Sequence, residues 1–170
     1  MSELNIGMEA NFRSRGYFVV RTSGKCPSCR ASTPLVALAL PLEHEILCME
    51  ADEESKNAAP DTWEAAGCSA LLFYVASLPE SAKRRVAQFS HLYRYACSAA
   101  TQESHWANHC EQCGSLLEDH DLFCEPDGAF LPMSGASASD IEVIWIDEPI
   151  EAAAGGYSCD PVFIAAAIGT

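Results

Sequence analysis

A chain of 170 residues and 18.3 kDa can bury a real core in one domain, and it needs no disulfides for bulk stability. A net charge of −14 argues against indiscriminate nucleic-acid binding, which depends on neutralising phosphates with Lys and Arg. No apolar run approaches the roughly 20 residues of a membrane span, and nothing over 1–11 resembles a secretory signal. A cytoplasmic chain is therefore expected, in which nine cysteines are metal ligands, small buried hydrophobes or redox thiols and not a disulfide framework.

In chain order, 16–22 (GYFVVRT), 34–40 (PLVALAL) and 45–49 are short β-branched or alternating apolar runs bounded by turn residues, the pattern of strands. The first Cys-x-x-Cys, Cys26 and Cys29, falls between two of them. Residues 52–60 suggest a surface loop, and Asp61-x-x-Glu64 resembles a capping box opening a short helix that Gly67 would end. Residues 70–76 (ALLFYVA) are apolar on both faces, which predicts a central buried strand.

The main helix is expected over 78–97. Ser77-x-x-Glu80 makes a capping box with Pro79 in the first turn, and Leu78, Ala82, Val86, Phe89 and Tyr93 recur at helical spacing. Lys83, Arg84, His91 and Arg94 fall on the opposite face. Residues 105–109 read as a strand entering the second Cys-x-x-Cys, Cys110 and Cys113. A flexible connector over 134–140 precedes a strand at 141–146 (IEVIWI), and 151–170 reads as a weak linker followed by a small apolar segment. These elements predict an α+β fold, with a β-rich zinc-ribbon-like core and a long inserted segment containing one main helix. The expected division is 1–133 for this domain and 134–170 for a connector, strand and tail packing on the domain or on a partner.

Two Cys-x-x-Cys turns suit one tetrahedral structural zinc ion, because each aims two thiolates at a point and zinc accepts four at about 2.3 Å. Pro27 stiffens the first turn, and Gly114 can take the left-handed conformation that closes the second. The expectation is one Zn2+ per chain on Cys26, Cys29, Cys110 and Cys113, joining the beginning of the fold to its last third and coupling metal binding to folding. Iron can occupy the same thiolate set. Cys48, Cys68 and Cys97 lie in or beside apolar runs and read as buried free thiols. Cys124 and Cys159 receive no role. His44, His105, His109 and His120 could replace a thiolate, His109 most readily through its adjacency to Cys110, but core or surface positions suit each better.

No ordered deaminase element is present, since His109-Cys110-Glu111 overlaps the second Cys-x-x-Cys instead of preceding a Pro-Cys-x-x-Cys. Cys26-Pro-Ser-Cys29 leads towards a strand, not into the helix that would lower a thioredoxin-like thiol pKa. No phosphate loop, serine elbow or His-Glu-x-x-His motif occurs. A non-catalytic protein is expected.

The combination of Cys26 to Cys29 with Thr33-Pro34-Leu35-Val36-Ala37-Leu38, and later of Asn108-His109-Cys110-Glu111-Gln112-Cys113-Gly114, resembles small, largely uncharacterised bacterial proteins that look like split zinc ribbons. The likeness continues through Asp119-His120-Asp121-Leu122-Phe123 and Glu125-Pro126-Asp127-Gly128-Ala129-Phe130, spanning 17 to about 130. It implies the same four ligands and assigns no reaction. A histidine is usual in that pattern where this chain has Cys124.

The expected function is a structural-zinc binding module that mediates protein–protein contact or self-association through the apolar tail and the 141–146 strand. Nucleic-acid binding is an alternative. Residues 1–30 carry five basic and two acidic side chains, 83–94 carries four basic and none acidic, and all thirteen charges from Glu103 onward are negative. Arg13, Arg15, Arg21, Lys25 and Arg30 with Lys83, Arg84 and Arg94 would then form one basic surface. A dithiol redox protein is the third reading.

Overall fold

The computed structural model describes residues 8–48 and 61–168; the loop expected over 52–60, and Met49 of the third expected strand, lie outside them. Among the described residues ten strands form one continuous network in which every pairing is antiparallel: β1 (Phe12–Ser14), β2 (Tyr17–Lys25), β3 (Ser32–Leu40), β4 (Glu45–Cys48), β5 (Thr62–Ala65), β6 (Ala70–Ser77), β7 (Tyr93–Cys97), β8 (Ser104–Asn108), β9 (Glu142–Ile146) and β10 (Ile150–Cys159). The main path runs β5-β4-β1-β10-β6-β3-β2-β9, and the β7–β8 hairpin joins through β8 to β6.

Alternation along the central strands builds two cores, one on each face. Tyr17, Val19, Val36, Leu38, Leu40, Ala70 and Leu72 point into the first, and Phe18, Val20, Leu35, Ala37, Ala39 and Leu71 into the second. Helix α1 (Glu80–Ala87) contributes Ala82 and Val86 to the first core. The second is closed by a π-helical turn (His120–Cys124), by Phe130 and by Phe163 and Ile164 of α3 (Val162–Ile168), and it includes the buried Cys26 and Cys110. The short α2 (Gly135–Ser139) is capped by the Ser134 hydroxyl, which accepts the Ser137 N–H at 3.2 Å.

This arrangement overturns the α+β expectation. β-richness holds, but no single main helix exists among the described residues; three short helices and one π-helical turn decorate an antiparallel sheet. The helix expected over 78–97 spans only Glu80–Ala87, with Pro79, not Ser77, at its N-cap and no side-chain capping bond. It stops because Ser90 offers its hydroxyl to the Leu92 N–H at 3.0 Å, a local bond that competes with helical continuation. Tyr93 then pairs with Asn108 in β7. The helix expected after Asp61 is β5, whose Trp63 lies opposite Leu47 and beneath the Arg13 guanidinium at 4.3 Å. The run read as a linker is β10, inserted between β1 and β6. Its small residues are required there, since a Cβ at Gly156 would collide with the Phe73 ring.

Candidate metal centre

Cys26 and Cys29 lie in the turn of the long β2–β3 hairpin, directly after the pair Lys25–Ser32. Cys110 and Cys113 lie in a second small turn, closed by a bridge between His109 and Leu116. The two loops share one hydrogen-bond pattern. The first cysteine's carbonyl accepts an N–H four residues on (Arg30 N to Cys26 O, 2.8 Å; Gly114 N to Cys110 O, 3.0 Å), and its own N–H donates five residues on (to Ala31 O, 2.9 Å; to Ser115 O, 2.8 Å). Each loop needs a left-handed residue after its second cysteine: Gly114 at φ +72 and, with a side chain, Arg30 at φ +65.

Thr33 and Asn108, both buried, hold the loops against each other. The Thr33 hydroxyl accepts the Glu111 N–H at 3.0 Å, reaching from the first hairpin into the second loop. Asn108 uses its amide as a substitute strand: Oδ1 accepts from Val36 N–H and Nδ2 donates to Val36 O, each at 2.9 Å. Both residues stand in the motifs noted above, yet nothing in their local spacing revealed this role.

The four sulfurs converge, all within 4.8 Å of one another. The short approaches cross between loops, Cys26 to Cys113 at 3.7 Å and Cys29 to Cys110 at 3.6 Å. A tetrahedron with metal–sulfur bonds of about 2.3 Å has edges of about 3.8 Å. The spacing therefore fits one tetrahedrally coordinated ion. Cys26 and Cys110 are buried while Cys29 and Cys113 face solvent.

The protonation chemistry is divided. The Ser115 hydroxyl, 3.2 Å from Cys113 Sγ, and the Ser115 N–H stabilise that thiolate and draw its pKa down to about 6. The Cys29 N–H acts similarly on Cys26, whose pKa is lowered. At Cys29 a bond from the Ala31 N–H pulls downward, but desolvation and the neighbouring sulfurs outweigh it and lift the pKa to about 11. A cation at the centre is what would allow all four to shed their protons.

No histidine joins this set. His109 Nδ1 lies against the Leu92 and Ala107 carbonyls at 3.2 and 3.0 Å, and His44 Nδ1 against Pro41 O at 2.8 Å. His120 is exposed beside Glu125 at 3.4 Å. His105 is buried with Asp119, Nε2 to Oδ2 at 3.9 Å. This second cluster escaped sequence reasoning. Asp119 Oδ2 accepts the Tyr74 N–H at 2.7 Å, and burial raises its pKa to about 7 while lowering that of His105. The cysteines expected to be buried depart from that reading, since Cys97 is exposed and Cys48 and Cys68 are half-buried.

The eight basic residues are scattered over several elements. Arg13 pairs with Glu45 at 2.7 Å, Arg21 with Glu142 at 3.2 Å and Lys83 with Glu80 at 2.7 Å. The two basic segments approach where the Arg21 guanidinium lies 5.9 Å from the Phe89 ring centre. Arg15 follows β1, Lys25 ends β2, Arg30 closes the first loop, Arg84 stands on α1 and Arg94 on β7. No helix among the described residues is long and apolar enough to cross a membrane. Comparisons with family models, with curated proteins and with solved structures find no match to this chain.

Proposed function

We propose that this chain is a non-catalytic binding module whose two distant loops are fastened by one structural zinc ion on Cys26, Cys29, Cys110 and Cys113. The observation that carries the reading is the convergence of four sulfurs from two loops 80 residues apart in sequence at spacings suited to a tetrahedral ion. Zinc would act structurally here, because four protein thiolates leave no position open for water or substrate.

The purified chain should carry one zinc per molecule by elemental analysis. Cys29→Ser and Cys110→Ser should lower metal content and thermal stability together, whereas Cys68→Ser should leave metal content unchanged. Equal metal content in all three variants would overturn the assignment.

The interaction half of the proposal rests on the β9 edge. That strand pairs only with β2 among the described residues and presents the half-exposed Trp145 beside it. A contact between copies or with another protein along this edge would place the chain in a larger particle, and Trp145→Lys should reduce the mass measured by light scattering. A monomer at every concentration, with and without the substitution, would count against self-association. Nucleic-acid binding is the weaker reading, since three of its eight basic residues sit in carboxylate pairs and the net charge is −14.

A further inference from the structure

A second pair of thiols lies apart from the metal centre, at the far end of the β6–β10 ladder. Cys159 closes β10 opposite Ala70, and Cys68 stands in the bend that leads into β6, two residues before Ala70. Their Sγ atoms are 2.6 Å apart although 91 residues separate them in sequence. The backbone on either side is held in place. Asp160 N–H donates to Ser69 O at 2.9 Å, and Asp160 Oδ1 accepts from the Ser69 N–H at 2.9 Å and its hydroxyl at 3.2 Å. Asp160 itself sits at φ +45, turning the chain out of β10 towards α3.

We propose that Cys68 and Cys159 form a reversible redox site that closes into a disulfide on reaction with a low-molecular-weight disulfide. Cys159 is exposed and Cys68 half-buried, so the incoming reagent meets Cys159 first. The neighbouring Cys159 sulfur, together with burial, raises the Cys68 pKa to about 11, which disfavours Cys68 as the first nucleophile. The Cys159 thiolate attacks one sulfur of the reagent RSSR, forming a mixed disulfide and releasing RS−, which takes up a proton. Cys68, once deprotonated, attacks the Cys159 sulfur, closes the Cys68–Cys159 bond and expels the second RS−. Two protein thiols are oxidised and one RSSR is reduced to two RSH. The bond ties the entry to β6 to the end of β10, immediately before the helix that buries Phe163 and Ile164 in the core that also contains Cys26 and Cys110.

The test treats the full, zinc-loaded chain with oxidised glutathione and cleaves it after glutamate without reduction. That cleavage leaves Cys68 as the sole cysteine of peptide 65–80 and Cys159 as the sole cysteine of 152–170. The expected product is 65–80 joined to 152–170, lighter than the two reduced peptides by two hydrogen atoms and separated by a dithiol reductant. Cys68→Ser should arrest at a glutathione adduct on 152–170, and Cys159→Ser should give no cross-link.

Oxidation should also raise the thermal midpoint of the wild type and leave that of Cys68→Ser unmoved, a readout made on protein already shown to fold by its reduced melting curve. A wild-type Cys159 that remains a glutathione adduct, or that cross-links to any other cysteine, would overturn the proposal. Failure of the metal assignment would be recognised separately, because zinc content is read before oxidation and the four ligands fall in other peptides.

Discussion

Gly114 and Arg30 occupy equivalent left-handed positions, yet only one is glycine. Gly114→Ala should cost about 1 kcal/mol in urea unfolding. Arg30→Gly removes a comparable local penalty but loosens the unfolded chain, so it should change stability by less than about 0.5 kcal/mol.

Asp119 gives a pH signature. Its folded pKa, about 7, lies above its ordinary 3.8, so the native state holds a proton that the unfolded state has released across that interval. Its contribution is complete below the lower value and is lost as pH rises through the upper one. His105 has the opposite sign, because its lowered folded pKa costs stability as pH falls through the ordinary 6.5. Asp119→Asn removes only the first effect. Measured by denaturant unfolding, this variant should gain on the wild type by roughly 3–4 kcal/mol between pH 4 and pH 8. A constant difference across that range would show that Asp119 does not change protonation on folding.

Among elements, the decisive joint is between β3 and the entry to the second cysteine loop. Asn108 satisfies both backbone groups of Val36 in a buried setting, so Asn108→Ala should leave an N–H and a carbonyl without partners and cost about 2–5 kcal/mol. It should also weaken metal retention against a chelator, because the loop that carries Cys110 and Cys113 loses its alignment with the hairpin that carries Cys26 and Cys29. Strand alternation at 16–22, 34–40 and 70–76 was legible because each run is short, apolar and bounded by turn residues. The two helix errors have local causes. Phe89 and Tyr93 fit helical spacing as well as a turn followed by a strand, and the Ser90 hydroxyl decides between them. Asp61-x-x-Glu64 satisfies a capping pattern, but a helix that short is marginal by itself, and the segment instead pairs with β4 and lays Trp63 beneath Arg13.

For the molecule as a whole, the metal centre should behave as a clamp between distant stretches of chain. Chelation at neutral pH should lower the thermal midpoint and expose apolar surface to a fluorescent dye, and zinc should restore both. A melting curve unchanged by metal removal would show that the sheet stands without the clamp. The sequence by itself determined the identity of four candidate ligands, because a Cys-x-x-Cys turn is complete within a few residues and its chemistry does not depend on what lies elsewhere. It also determined the strand character of the apolar runs, since alternation is a property of neighbours. Only the tertiary structure decided that the close sulfur pairs cross between loops, that β10 enters between β1 and β6, and that Cys68 meets Cys159. These are matters of sheet order and register, set by which distant strands bury each other's faces, and no local window of residues contains that information.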